Sequence, residues 1–377
     1  MAIAREVPVM TTGDCGGGCD RAEPAGREER RRRLNLSAIP KTGTPIISID
    51  LDLTLDCNMR CVYCFKEKGS RQMHERIAFD AVVWLLYASG LVKSLYVSLM
   101  GGEPLLRMEL IKILVPFGTR RARYYGKRIH FSATTNNTLV TDSVIDFWRS
   151  WDVGFHSSID GIPEVQDRNR PLADARPSSA LAEAGIRKVL ACRPWTTARC
   201  TIVPGSVGHV VENYRYFRSL GFTSIAMVPG CAAEWTEASN GVFREQFRAL
   251  ADLVIDDMRQ GTFVRVGGID DYIEVIACGA GRPTHVCGAG RGMALIDVDG
   301  GIWPCHRWNK ARYAAWRLGS IYEEFSEERR AVLDVAIQVE RLEVDCKHCE
   351  ARDVCVGDCP AESLEGNPSP YKPHANS

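Results

Sequence analysis

The sequence lacks an excess of charge, a secretory signal and any long apolar run. Its 47 basic residues balance 47 acidic residues, so no overall field favours nucleic acid or an anionic membrane. The first ten residues, MAIAREVPVM, have neither the basic start nor the continuous apolar core of a signal peptide, and no apolar window is long enough to span a bilayer. We therefore expect a cytoplasmic protein that binds neither nucleic acid nor membrane.

Cysteine, by contrast, is abundant, and its first group lacks a fourth member. Fifteen cysteines in a cytoplasmic chain, where disulfides are disfavoured, favour metal binding or catalysis. Cys57, Cys61 and Cys64 share one short loop, DCNMRCVYCF. Structural zinc usually takes four side chains, whereas an iron-sulfur cluster can use three and keep one position open. The isolated cysteines are expected to be small buried residues: Cys192, Cys200 and Cys231.

Composition divides the chain into three parts. Residues 1–43 are rich in Gly and charge without hydrophobic periodicity, which predicts a flexible segment, with Cys15 and Cys19 as solvated thiols rather than a metal site. Residues 44–261 have the length and apolar content of a large domain. Residues 262–377 contain more Cys and Gly and shorter elements, which predicts a second, small domain.

The large domain alternates short apolar runs with segments of helical period. The pattern predicts six parallel strands joined by crossover helices, an α/β fold. The predicted strands are PIISIDLDL, SLYVSLM, RIHFSAT, GFHSSID, ARCTIVP and SIAMVP. Ligands in such folds bind at the carboxyl ends of the strands, so the three-cysteine loop after the first strand is expected at the active face.

The small domain is expected to be stabilised by metal bound to its cysteines. ALIDVDGGIWPC reads as a hairpin with two alternating runs around Asp299, Gly300 and Gly301. The final stretch, DCKHCEARDVCVGDCPAE, is too rich in cysteine for an ordinary helix.

The Cys57-x-x-x-Cys61-x-x-Cys64 motif, with an aromatic residue before the last cysteine, resembles the signature of the radical S-adenosylmethionine (radical SAM) enzymes. The resemblance implies a partial (β/α)6 TIM-type barrel. It also implies a 4Fe-4S cluster on these three thiolates, whose fourth iron binds S-adenosylmethionine. The alternative is a zinc ion with a distant fourth ligand.

Two further motifs that follow predicted strands resemble the same family. In MGGEP, the resemblance implies that Gly101, Gly102 and Glu103 receive the methionine amino group, because glycines allow close approach and a carboxylate suits an ammonium. In TTNNTLVT, Asn136 is the corresponding cofactor-binding residue. Asn137 stands where Gly is usual, and Asn tolerates a left-handed backbone.

The motif after the fourth strand, SSIDGIPEVQDRNRP, resembles a segment of the branch that modifies peptides and proteins. Ser158 and Asp160 are predicted cofactor contacts, with a self-contained polar turn as the alternative. The resemblance covers about residues 45–230.

The C-terminal cysteines resemble the SPASM extension of this superfamily, a small cysteine-rich domain that carries auxiliary iron-sulfur clusters. The resemblance implies one or two auxiliary 4Fe-4S clusters on Cys287, Cys305, Cys346, Cys349, Cys355 and Cys359. The usual later cysteine is missing, so Cys278 is expected to supplement the first cluster, or the last four cysteines close one site. Zinc at those four is the alternative.

The resemblance also bears on the substrate. In sulfatase-maturating enzymes the residue after the hairpin cysteine is an Asp thought to act as base, whereas this chain has His306, a catalytic candidate or a structural residue. We expect a 5′-deoxyadenosyl radical that abstracts hydrogen from a ribosomally made precursor peptide, giving a cross-link or an oxidation, with flavodoxin or ferredoxin as reductant. The alternatives are oxidation of a protein Ser or Cys, as in sulfatase maturation, and a non-catalytic electron carrier.

Overall fold

The structure is a computed structural model that describes residues 34–230, 233–278, 285–338, 348, 355 and 359–366, apart from the side chains of Tyr272 and Cys278. Several cysteines named above lie outside the described residues: Cys15, Cys19, Cys231, Cys346 and Cys349. The predictions made for these five therefore stay predictions.

In this part of the chain, ten strands form one sheet in the order β10-β9-β8-β1-β2-β3-β4-β5-β6-β7. The strands are β1 (Ser48–Asp52), β2 (Ser94–Met100), β3 (Arg128–Thr135), β4 (Gly154–Ser158), β5 (Thr197–Ile202), β6 (Ser224–Pro229), β7 (Arg265–Gly267), β8 (Met293–Ile296), β9 (Gly301–Trp303) and β10 (Gly319–Ser320). Strands β1 to β7 pair in parallel with their neighbours. The six predicted strands and the α/β fold are confirmed.

Helices lie between the parallel strands and after the last strand. They are α1 (Glu75–Ala88), α2 (Met108–Tyr124), α3 (Asp142–Trp151), α4 (Pro163–Asn169), α5 (Ser179–Cys192), α6 (Val210–Leu220), α7 (Glu237–Arg259), α8 (Ile269–Cys278), α9 (Glu327–Ala336) and α10 (Pro360–Gly366). The sequence analysis did not anticipate α4, a short helix within SIDGIPEVQDRNRP that begins with Pro163. Proline suits a first helical position because its fixed φ is helical and its missing N–H would have no partner there.

Each parallel strand has an apolar face and a polar face. On β2, for example, Leu95, Val97 and Leu99 are completely buried, and they belong to a core cluster that includes residues of α1 and α2. The alternate residues, including Ser98 and Met100, line the cavity described below. Because side chains alternate along a strand, the apolar set packs against the helices and the polar set faces the interior of the partial barrel.

The C-terminal segment adds strands to the same sheet. Strand β8 pairs in parallel with β1 and antiparallel with β9, so the predicted hairpin is present. Its turn includes Gly300 at φ +85°, a backbone conformation that favours glycine. The pairing places the residues after β9 beside β1 and the cysteine loop. Among the described residues, no helix is long and apolar enough to cross a bilayer.

Candidate active site

Three cysteines lie in the loop after β1. They line a cavity of about 380 Å³ at the carboxyl ends of the parallel strands. Cys57 is buried, Cys61 and Cys64 are half-buried, and all three are free thiols. Burial raises the pKa of the Cys57 and Cys61 thiols above its usual value. Both thiols are therefore protonated at neutral pH, and because metals bind thiolates, metal binding would release protons.

Hydrogen bonds to the end of α4 and to the segment after it hold the cysteine loop in place. Three backbone hydrogen bonds of 2.9 Å run from Arg60 N to Pro171 O, from Val62 N to Asn169 O and from Ala173 N to Asn58 O. Tyr63, between the second and third cysteines, donates its hydroxyl to Asp160 at 2.7 Å. Arg170 lies over the Tyr63 ring and pairs with Asp160 at 2.9 Å. The DRNRP stretch therefore fixes the shape of the cysteine loop.

Two predicted cofactor contacts after β4 occupy different places. Ser158 is half-buried and lines the cavity. Asp160 is completely buried, and its carboxylate accepts hydrogen bonds from the Tyr63 hydroxyl and from Thr201 N at 3.0 Å. Asp160 is not among the residues that line the cavity. The contacts of Asp160 hold the loop in place, and a cofactor contact by this residue stays a prediction.

Glu103 is buried beneath the cavity at the end of β2. Its Oε1 accepts hydrogen bonds from Leu105 N at 3.1 Å and Thr135 Oγ1 at 2.8 Å, and its Oε2 accepts one from Asn136 N at 2.8 Å. Burial raises the pKa of Glu103 to about 7 despite these three bonds, which oppose the rise. The carboxyl group joins the loops after β2 and β3, and its contact with an ammonium stays a prediction.

Gly101 and Gly102 allow two loops to touch. A Cβ on Gly102 would lie 1.9 Å from the carbonyl oxygen of Asp56, and one on Gly101 would lie 2.3 Å from that of Thr54. Gly101 also has φ +130°. No side chain fits either position, because a real Cβ does not come within 3.0 Å of such an atom. The two glycines thus bring the loop after β2 directly against the cysteine loop.

The two asparagines after β3 connect three strand ends. Asn136 donates from its side chain to Asn58 in the cysteine loop at 2.8 Å, and Asn136 lines the cavity. Asn137 has φ +66°, the left-handed conformation expected for it. Its side chain accepts a hydrogen bond from Ser157 Oγ at 2.9 Å and donates one to Ser158 O at 3.2 Å. Glycine at this position would make neither bond.

His306 faces the cavity and is paired with an acid that the sequence analysis missed. Its Nδ1 lies 2.8 Å from Oδ2 of Asp50 on β1, and both residues line the cavity. Asp50 is buried. Its neighbour on the same face, Asp52, is completely buried and pairs with Lys66. Two carboxylates at alternate positions of an apolar strand were the sequence signal for this polar face.

The auxiliary cysteines are described in part. Burial, together with the nearby thiols of Cys359 and Cys287, raises the pKa of Cys305 to about 12. The thiols of Cys359 and Cys287 therefore lie in the neighbourhood of the Cys305 thiol. Cys278 ends α8 and its side chain lies outside the described residues, whereas Cys355 is half-buried. The auxiliary ligand set stays a prediction.

The donor set of the loop fits an iron-sulfur cluster better than a single ion. In the described ranges, no three His, Cys, Asp or Glu side chains come close enough to hold one metal ion. Zinc–sulfur bonds of about 2.3 Å would need the thiols to crowd around one point. The fourth thiol that lines the cavity, Cys200, is completely buried and donates to Asp160 O at 3.2 Å. Three soft ligands beside an open cavity suit a cluster with one free position.

Comparison with known proteins agrees with this site. The family model "Radical SAM superfamily" matches residues 51–230, from β1 to the end of β6. The cysteine-type anaerobic sulfatase-maturating enzyme of Clostridium perfringens is 23% identical over 323 residues, which are 80% of this chain and 85% of that protein.

Two solved structures share the fold. Native anSMEcpe with bound AdoMet and Cp18Cys peptide has a TM-score of 0.74 at 20% identity, over 88% of this chain and 93% of that one. Streptococcus suis SuiB bound to precursor peptide SuiA has a TM-score of 0.59 at 12% identity, over 88% and 75% respectively. The chain carries a radical SAM domain over residues 51–230. It is a radical SAM enzyme related to the anaerobic sulfatase-maturating enzymes, so the alternative of a non-catalytic electron carrier is set aside.

Proposed function

We propose that this enzyme oxidises a Ser or Cys side chain of a peptide or protein substrate. The observation that carries the proposal is the His306–Asp50 pair, which gives the cavity a proton acceptor beside the cysteine loop. Similarity to sulfatase-maturating enzymes over most of the chain supports the same reaction. The proposal takes the place of the cross-linking expectation as the leading function.

The residues present fit the family's cofactors. Cys57, Cys61 and Cys64 would hold a 4Fe-4S cluster, and S-adenosylmethionine would lie against the cavity wall formed by Gly101, Gly102, Glu103, Asn136 and Ser158. When bound, these groups supply a 5′-deoxyadenosyl radical able to abstract hydrogen from the substrate. The contribution of the chain is to position the substrate and to exclude water.

His306 is the proposed proton acceptor. In the tautomer that donates Nδ1–H to Asp50, the ring is fixed and Nε2 is available to accept the proton of the substrate hydroxyl or thiol. Phe65, directly after the third cysteine, has its ring centroid 5.5 Å from that of His306 and limits the movement of the imidazole. The histidine thereby replaces the Asp that the resemblance expects at this position.

Oxidation to an aldehyde also requires a place for one electron. The substrate loses a hydrogen atom and a proton, and one electron is left over. A Ser side chain becomes the aldehyde directly, whereas a Cys side chain becomes a thioaldehyde, which water hydrolyses to the aldehyde with release of hydrogen sulfide. Cys305 immediately precedes the proposed base, and its thiol lies near those of Cys287 and Cys359. We propose that these cysteines hold the auxiliary centre, with the remaining ligands among the cysteines outside the described residues.

A peptide cross-link is the second candidate. The likeness to SuiB, whose solved structure contains the precursor peptide SuiA, supports it at the level of the fold. The two candidates predict different products, because oxidation gives an aldehyde and a cross-link joins two residues without one.

The test uses the anaerobically reconstituted enzyme, a chemical reductant, S-adenosylmethionine and the Cp18Cys peptide together with its Ser counterpart. We expect an aldehyde on the peptide, read by mass spectrometry and by hydrazide labelling, and 5′-deoxyadenosine in equal amount. A product that has lost hydrogen but does not react with hydrazide would favour the cross-link. Production of 5′-deoxyadenosine with every peptide left unchanged would contradict both substrate assignments.

A further inference from the structure

Most charged side chains that line the cavity have a partner. Four ion pairs satisfy them: His306 with Asp50, Lys66 with Asp52, Arg170 with Asp160, and Arg307 with Glu362. Two cations on the cavity wall, Lys68 and Arg199, form no ion pair within the described part of the chain. These two residues therefore decide which anions the cavity can accept.

Lys68 lies three residues after the cysteine loop. Its charge opposes the rise that burial causes in the pKa of Cys57, Cys61 and Glu103, so the ammonium lies on the side of the thiols and the loop after β2. Thiolates that hold a cluster would compensate this charge. Lys68 therefore needs no anion from the substrate.

Arg199 lies elsewhere, on the inner face of β5. Its Cα is paired with that of Ser158 on β4, and two residues before Ser158 the side chain of His156 also lines the cavity. Arg199 is exposed within the cavity, yet the surrounding protein lowers the pKa of its guanidinium by desolvation. Asp50 is its nearest compensating charge, but Asp50 is engaged by His306.

His156 adds an unsatisfied polar atom, not a charge, to this wall. Burial and the charge of Arg199 lower its pKa, so the imidazole is neutral at physiological pH. Its Nδ1 is buried and has no hydrogen-bond partner among the described residues. Unsatisfied buried polar groups are uncommon in native proteins and call for an explanation such as a bound group.

We propose that Arg199 binds a carboxylate of the substrate, so that the enzyme selects peptides with an acidic group close to the residue it modifies. An arginine on the cavity wall without an ion-pair partner is available to an anion, and a carboxylate satisfies its planar donors in two parallel hydrogen bonds. This inference rests on the proposed function, since it concerns the peptide that enters the same cavity. The carboxylate belongs either to an Asp or Glu side chain or to the peptide's C-terminus.

The test measures binding without turnover. The reconstituted enzyme, with its clusters oxidised and S-adenosylmethionine present, is incubated with a short peptide library that has Cys at a fixed central position and randomised flanks. One half of the library has a free C-terminus and the other half an amide. Bound peptides are sequenced by mass spectrometry for the wild type, Arg199→Gln, Arg199→Lys and Arg187→Gln. Arg187 is an exposed arginine that pairs with Glu183 on α5, so it serves as the matched control.

We expect the wild type and Arg187→Gln to enrich Asp or Glu at one flanking position in both halves, or free over amidated C-termini if the terminal carboxylate is the ligand. Arg199→Gln should abolish the enrichment and weaken binding of the selected peptide about tenfold or more. Arg199→Lys should recover part of it, because it keeps the charge but loses the paired donors.

Three outcomes would overturn the inference. If the wild type binds peptides without enrichment of Asp, Glu or a free C-terminus, Arg199 does not bind a substrate carboxylate, although the proposed function stands. If Arg199→Gln weakens S-adenosylmethionine binding instead, the guanidinium serves the cofactor. If the wild type binds no peptide and modifies none, the proposed function fails together with the inference.

Discussion

The carboxyl group of Glu103 gives a quantitative test of the site's electrostatics. Burial raises its pKa from 4.5 to about 7, so the folded protein retains a proton that the unfolded chain has already lost. The stabilisation from this proton is complete below pH 4.5 and is lost as the pH rises through about 7. Because one pKa unit corresponds to ~1.4 kcal/mol, the free energy of unfolding should fall by about 3 kcal/mol across this range.

The assay compares the wild type with Glu103→Gln by thermal unfolding from about pH 5 to about pH 8. The variant cannot ionise, so its unfolding temperature should lack this contribution. With an unfolding entropy of ~2.1 cal/mol/K per residue, the wild type should lose about 4 °C more than the variant as the pH rises.

The comparison depends on the pH dependence and not on absolute stability. In Glu103→Gln the amide NH₂ would face the N–H of Asn136, where Oε2 now accepts a hydrogen bond, so the variant should be less stable at every pH. Parallel curves for the two proteins would refute the reasoning. They would mean that the three hydrogen bonds outweigh burial and keep Glu103 ionised throughout.

Three further predictions concern the loops and the proposed base. Gly102→Ala should lower iron content after reconstitution, because its Cβ would collide with Asp56 O at 1.9 Å and displace the cysteine loop; iron and sulfide analysis measures this. Asn137→Gly should destabilise the protein by about 1 kcal/mol in denaturant unfolding, since two hydrogen bonds lost outweigh the relief of a positive φ. Asp50→Asn should slow product formation with little change in S-adenosylmethionine binding, because it removes the carboxylate that pairs with His306 and leaves the residues predicted to bind the cofactor in place.

Each of these has a matched control or a contrary outcome. Ala175 also has a positive φ, +65°, but is exposed, so Ala175→Gly should be neutral or stabilising; equal losses for it and Asn137→Gly would show that the asparagine bonds contribute little. Full iron content in Gly102→Ala would mean that the loop can shift without losing its ligands. If His306→Gln retains wild-type turnover, Asp50 and His306 are structural.

The local signals in the sequence were sufficient for the strands, the α/β class and the loop at the active face. Alternation of polar and apolar residues fixes which side of each strand packs on a helix, and the cysteine spacing predicts a metal-binding loop without reference to distant residues. The left-handed backbone of Asn137 also followed from its residue type. The short helix α4 did not, because seven residues are too few for a periodic pattern.

Only the tertiary structure decided the partners of these residues. Asp50 meets His306 across 256 positions of the chain, since β8 pairs with β1 and brings the segment after the hairpin over the strand. Asp160 is a buried support of the cysteine loop and not part of the cavity wall, although its motif reads equally well as a ligand contact. Arg199 has no ion-pair partner among the described residues because His306 already binds the nearby carboxylate of Asp50. The sequence alone thus determined the types of element and the position of the cysteine loop at the cavity. Long-range pairing determined which charges are satisfied, because an ion pair depends on distances that no local pattern contains.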